Sequence, residues 1–230
     1  MEGNQNRKFY KNPLFLAATG ILLVSALIVL VLVFINRNQD DNDGEPSVTD
    51  ASEEYETLNN TLESLISSNP HKDYQSSSST THYINAPESY FYDASDYNYF
   101  TDTLLFTSTL SILSQTKITP KSSFSNTSFQ DLATKNNLSY QQLNAANHNI
   151  LNYYLDHDAV IIICATGSFL YSETEPTCLL VYAAAPADGI YYISSPTNPT
   201  YIMNGVTRTE LLSNIKDSAT FHIFSTAKIE

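Results

Sequence analysis

The chain has 230 residues, of which 24 are acidic and only 11 are basic, so its net charge at pH 7 is −13. From residue 38 onward there are seven basic and 23 acidic residues. Such a surface repels phosphate backbones, so no nucleic-acid partner is expected. The six glycines form no glycine-rich loop, and two cysteines are too few for a disulfide-dense scaffold. Nucleotide-binding fingerprints and small disulfide-stapled folds are therefore excluded.

A membrane anchor is predicted close to the N-terminus. Leu14 to Ile35 is a run of 22 residues without a charge, and sixteen of them are Leu, Ile, Val or Phe. As a helix with a rise of ~1.5 Å per residue it is roughly 33 Å long, which matches a hydrocarbon core of ~30 Å. Three basic residues precede the run, so the N-terminus is expected to stay cytoplasmic. The sequence predicts a single-pass protein of the cell membrane, with residues 1–37 as tail and anchor.

The alternative interpretation of this run is a cleaved secretory signal. The run is longer than the usual apolar core of about 7–15 residues, and no small-x-small cleavage site follows it. An uncleaved signal-anchor is therefore favoured, and residues 38–230 are predicted to be extracytoplasmic.

Residues 38–80 are predicted to form an acidic linker followed by a stalk helix. The first ten are polar and acidic, which is typical of a solvated linker. Thr49 to Ser68 carries apolar residues at 3-4-3 spacing, which indicates a helix, and Asn69-Pro70 ends it. Two heptads do not establish a coiled coil. The helix is expected either to pack against the following domain or to act as a semi-rigid spacer.

Residues 81–230 are sufficient for one domain with its own core. Helices are predicted over 102–113, from a cap at Ser125–Ser128 through Leu132, from a capping box at Ser139–Gln142 through Tyr154, and over 209–215. Strands are predicted over 159–164, 178–183, 190–194 and 221–225, the first being apolar enough to be buried on both faces. Helices followed by an antiparallel sheet indicate an α+β fold.

Three tracts of this domain carry a resemblance to a known family. Leu155 to Ile163, then Thr177 to Tyr182 and Asp188 to Pro196, resemble the C39-like branch of the papain-like cysteine peptidases. Ile84 to Pro87 and the helix after Thr101 lie where that family has its first strand and its nucleophile helix. The resemblance covers most of residues 81–226 and implies a papain-like fold with helices packed on an antiparallel sheet.

The sequence departs from the family at the positions that would be catalytic. The resemblance implies that the nucleophilic Cys falls on Thr101, the His on Thr177 and the orienting Asp on Ser195. An internal Thr hydroxyl neither ionises usefully nor has the terminal-amine base that Thr nucleophiles employ. We therefore expect a non-catalytic relative, without cofactor, that binds a peptide or an envelope protein. Two alternatives stay open: an active peptidase whose nucleophile lies elsewhere, and a structural component of an envelope assembly.

Aromatic residues crowd the segment 83–100, which borders the substrate cleft in that family. Tyrosine gives contact area at low entropy cost. Tyr90, Tyr92, Tyr97 and Tyr99 are therefore candidate residues for binding a peptide or a glycan. The alternative is that these rings only pack over the core.

The cysteines and the histidines lead to two further predictions. Cys164 ends one predicted strand and Cys178 begins the next, so a hairpin would place them opposite each other. A disulfide and two free buried thiols both remain open. The five histidines are scattered, without i, i+4 spacing or a Cys-x-x-Cys motif, so no metal site is predicted.

Overall fold

The structure is a computed structural model that describes residues 49–165, 177–198, 201–213 and 219–229. The predicted anchor, Leu14 to Ile35, lies outside these residues. Within the ranges that are described, no helix has the length and apolar character needed to cross a bilayer. The chain divides into two compact units, residues 1–52 and Glu53–Glu230, and almost all of the described residues belong to the second.

Five α-helices and six strands are described. They are α1 (Thr49–Ser68), α2 (Thr101–Ser114), α3 (Phe129–Lys135), β1 (Ser139–Leu143), α4 (His148–Asp156), β2 (Ala159–Ala165), β3 (Thr177–Ala185), β4 (Ile190–Ser194), β5 (Asn204–Thr207), α5 (Arg208–Ser213) and β6 (Ala219–Ser225). The strands form one antiparallel sheet in the order β1-β6-β2-β3-β4-β5. The predicted α+β class is confirmed.

Helices cover both faces of the sheet. Ile161 and Ile163 of β2 pack in the cluster that contains the apolar side chains of α4. Val160 and Ile162, which alternate with them, pack in a second cluster with the side chains of α2. All four are fully buried, which explains why this strand is apolar at every position.

Helix α2 is buried on all sides, from Thr103 to Leu113. It nevertheless carries many hydroxyl groups, and two of the buried ones bond to a carbonyl of the preceding turn. Thr107 Oγ1 donates to the Thr103 carbonyl at 2.6 Å, and Ser111 Oγ donates to the Thr107 carbonyl at 2.9 Å. Thr109 Oγ1, in contrast, is buried without a partner.

Two expectations about local structure are wrong. Ser139–Gln142 does not cap a helix but forms most of β1, an edge strand that pairs with β6. Helix α4 begins later, where Asn147 Oδ1 accepts a hydrogen bond from the Ile150 amide at 3.0 Å. Pairing with a strand some 80 residues further along the chain outweighs the local capping signal. Residues 84–87 form no strand either, since the chain makes a 3-10 turn over His82–Asn85.

The predicted bounds of α1 agree with the structure. Ile66 packs against the core of the domain, whereas Leu65 stays 42% exposed. Just after the helix, the Lys72 carbonyl accepts hydrogen bonds from the side-chain amides of Asn147 and Asn149 at 3.0 and 2.9 Å. These contacts fix the C-terminal end of α1 to the start of α4.

Candidate functional site

The candidate site begins where β2 and β3 are joined by a disulfide. Cys164 and Cys178 lie opposite each other in the antiparallel register, and their sulfur atoms are bonded at 2.02 Å. The chain has two cysteines, so neither thiol is free. Thr177 precedes Cys178 and is the first residue of β3. The position expected for a catalytic His is therefore adjacent to a cystine.

Ser195 follows β4 on the neighbouring strand. In the antiparallel register Ser194 lies opposite Leu180. Ser195 therefore falls opposite Leu179, which is two residues from Thr177 along β3. Ser195 is only 1% exposed, and its Oγ lies 3.2 Å from Thr197 Oγ1. A neutral hydroxyl paired with another hydroxyl supplies no negative charge to orient an imidazole. The structure thus places Thr177 at the start of β3 and Ser195 just after the adjacent strand β4, without the chemistry of a catalytic pair.

Thr101, the third position, is the half-buried first residue of α2. The chain leading into this helix is tied to the segment after β4, because the Ala94 amide donates to the Pro196 carbonyl at 2.8 Å. The amides of a helix N-terminus lower the pKa of a thiol, but they leave a threonine hydroxyl un-ionised. Thr101 therefore lacks the activation that a nucleophile requires.

Comparison with known proteins does not place the chain in a family. No family model, curated protein or solved structure matches it. The site itself consists of three hydroxyl residues and a disulfide.

The four candidate tyrosines divide into two pairs. Tyr90 and Tyr92 are 8% and 2% exposed, and Tyr90 belongs to the core cluster on the α2 side of the sheet. Tyr97 is half-buried and meets Tyr92 edge to face, with 5.3 Å between the ring centroids. Tyr99 is half-buried as well. In this conformation Tyr90 and Tyr92 pack in the interior, so only Tyr97 and Tyr99 present surface to a ligand.

Two of the histidines have a lowered pKa. His222 is half-buried, its Nδ1 lies 2.8 Å from the Tyr140 hydroxyl, and burial lowers its pKa to about 4. Burial, followed by the nearby Arg208 charge, lowers the pKa of His148. Among the described residues, no group of three His, Cys, Asp or Glu side chains is placed to hold a metal ion.

One feature was not indicated by the sequence. A polar cavity of about 350 Å³ lies beside Arg208 and the first turn of α4. Its residues come from parts of the chain as far apart as Gln75 and Arg208, so no local motif marks it. The one available signal was that Arg208 is the only arginine after residue 37.

Proposed function

We propose that this protein is a membrane-anchored extracytoplasmic domain of the C39-like type that binds a peptide or protein and does not cleave it. Two features support this function. The apolar run Leu14 to Ile35 has the length of a single-pass anchor. The order of tracts within residues 81–226 resembles the C39-like peptidases, and a helix-covered antiparallel sheet is compatible with that resemblance.

The main observation that supports the proposal is the disulfide between Cys164 and Cys178. A cysteine peptidase needs a free thiolate as its nucleophile. Both cysteines of this chain are bonded to each other, so an active peptidase with a nucleophile elsewhere has no thiol to use. This favours the binding function over the catalytic alternative.

The same disulfide supports an extracytoplasmic location. Disulfides persist in oxidising compartments and are rare in the cytosol. The excess of acidic residues after residue 38 favours a soluble domain in water. Both features agree with a cytoplasmic N-terminus and an exterior domain.

A binding surface is available next to the expected catalytic position. Tyr97, Tyr99 and Phe100, which we call the aromatic surface, directly precede Thr101 at the start of α2. Phe100 is 65% exposed, which is unusual for so large an apolar side chain. Exposed aromatic residues are enriched where proteins bind partners. We assign the peptide or protein contact to this surface.

Site-specific photo-crosslinking of the full chain in its native membrane tests the proposal. A benzophenone amino acid replaces Tyr97 or Tyr99, and the control places it at Lys135, an exposed residue of α3. Defined adducts are expected from positions 97 and 99 and not from 135. No adducts, or the same adducts from all three positions, would contradict the assignment.

Peptide cleavage by the purified chain tests the lack of catalysis. No cleavage of a peptide library is expected, with or without reductant. Cleavage that requires reductant and disappears in Cys178→Ala would establish the peptidase alternative instead.

A further inference from the structure

The polar cavity beside Arg208 has the size of a small-molecule site. Its volume of about 350 Å³ lies within the range of roughly 300–1,000 Å³ that such sites occupy. Its walls are the loop 75–79, the first turns of α4, the turn between β3 and β4, and Arg208. None of the residues lining it is acidic, although acidic residues outnumber basic ones by more than three to one after residue 37.

Arg208 brings a positive charge to this cavity. Its backbone amide donates to the Gly189 carbonyl at 2.7 Å, which fixes it at the start of α5. Within the described part of the chain, no carboxylate forms an ion pair with its guanidinium, and its Nε is buried without an acceptor. Arg208 as a whole is half-buried, but a buried Nε without an acceptor costs free energy. An anion in the cavity would provide that acceptor.

The neighbouring side chains offer neutral hydrogen-bonding groups. Asn152 is 4% exposed, and its Oδ1 accepts from the Tyr191 hydroxyl at 2.9 Å. This bond sets the orientation of the amide and leaves its NH₂ group as a donor. Asn149 donates its NH₂ to the Lys72 carbonyl, which leaves its Oδ1 as an acceptor. His148 adds a neutral imidazole, because burial and the Arg208 charge lower its pKa.

Serine hydroxyls complete the lining. Four consecutive serines, residues 76–79, form one wall of the cavity. Each hydroxyl both donates and accepts. The cavity thus combines one cation with several groups that match sugar-like hydroxyls.

We propose that this cavity binds a small polyhydroxylated carboxylate, of the chemical class of the uronic acids. The planar fork of Arg208 matches a carboxylate, with which arginine forms two parallel hydrogen bonds. The amide, imidazole and serine groups then take the hydroxyls. An anion as small as phosphate would leave most of the cavity and these hydroxyl-binding groups unused.

Calorimetric titration of the full chain in detergent micelles with D-glucuronate tests the inference. Saturable binding at one site per chain is expected, with no binding of glucose. Arg208→Gln should weaken glucuronate binding by about tenfold or more, since it removes two charge-assisted hydrogen bonds. Lys228→Gln is the matched control, because it changes the net charge equally at an exposed residue outside the cavity and should leave the affinity unchanged.

A second cavity variant tests the inference even if Arg208→Gln does not fold. Ser78→Asp places a negative charge at an exposed position of the wall and should also weaken binding of glucuronate. The inference is overturned if glucuronate does not bind, or if both cavity variants bind it as the natural protein does. Binding of inorganic phosphate that glucuronate cannot displace would also overturn the assigned ligand class.

Discussion

His222 is expected to make the folded domain sensitive to mild acid. Its imidazole lies against Phe129, with 4.7 Å between the ring centroids, and its Nδ1 contacts the Tyr140 hydroxyl. Burial lowers its pKa from 6.5 to about 4, so the folded protein keeps the ring neutral where the unfolded chain protonates it. The unfolded state therefore binds more protons between pH 6.5 and 4, and stability falls as the pH falls through this window.

The pKa difference sets the size of the effect. A change from 6.5 to about 4 corresponds to roughly 3 kcal/mol in total, at 1.36 kcal/mol per pH unit. Between pH 7 and pH 5 the expected loss of unfolding free energy from this group is about 2 kcal/mol. Such a loss is a large part of the stability of a typical domain.

Urea unfolding followed by tyrosine fluorescence measures this loss at pH 7, 6 and 5. His222→Gln removes the titrating ring and should lose about 2 kcal/mol less than the natural protein over this range. Ser128→Ala is the control, because it removes the N-cap of α3 at a cost of about 1 kcal/mol and keeps His222. It should be less stable at every pH, with the pH dependence of the natural protein.

Equal pH dependence in the natural protein and His222→Gln would refute the reasoning. An NMR titration of the His222 ring gives a direct check, with a midpoint expected near 4. A midpoint at the ordinary value of 6.5 would mean that the ring is not desolvated in the folded state.

Three further predictions concern stability measured by urea unfolding. The cysteines of the Cys164–Cys178 disulfide are 14 residues apart, and its reduction should lower the free energy of unfolding by about 3 kcal/mol. Thiol alkylation of the unfolded protein should label both cysteines only after reductant is added. Thr109→Val should stabilise the domain by about 1 kcal/mol, because it removes a buried hydroxyl without a partner, whereas Thr107→Val removes a bonded hydroxyl and should not. Asn147→Ala should destabilise by about 1 kcal/mol or more, because it removes the α4 cap and the hydrogen bond to the Lys72 carbonyl, and an unchanged midpoint would contradict both roles.

The central strands could be predicted because their residue pattern indicates which faces of the strand are buried. Residues 159–165 are apolar at every position, and a short, β-branched run of this kind is typical of a strand covered on both faces. The amphipathic face of α4 and the Asp188-Gly189 turn are likewise local signals. These local signals predicted the elements and the class correctly, whereas the capping signal at Ser139–Gln142, also local, was wrong.

The edge strands could not be predicted in this way. β1 consists mostly of polar residues, and its partner β6 lies some 80 residues further along the chain. β5 is four residues long and contains Gly205, which is unfavourable in a strand. In both strands the tertiary pairing, and not the local sequence, decides the conformation.

The candidate site could be predicted only in part from the sequence. The order of strands predicted that Cys164 and Cys178 would face each other, but not whether they are bonded. The crowding of tyrosines did not reveal that Tyr90 and Tyr92 turn inward while Tyr97 remains at the surface. The cavity at Arg208 depends on segments more than 100 residues apart, and no spacing rule brings them together.

The place of β6 in the sheet has a consequence for how the chain matures. This strand inserts between β1 and β2, although both precede it by more than 50 residues. While residue 219 is still inside a ribosome or a translocation pore, β1 has no neighbour and β2 keeps one edge uncovered. Both edges then expose backbone groups to other chains. Nascent protein is thus expected to need protection from premature pairing until residue 225 has emerged.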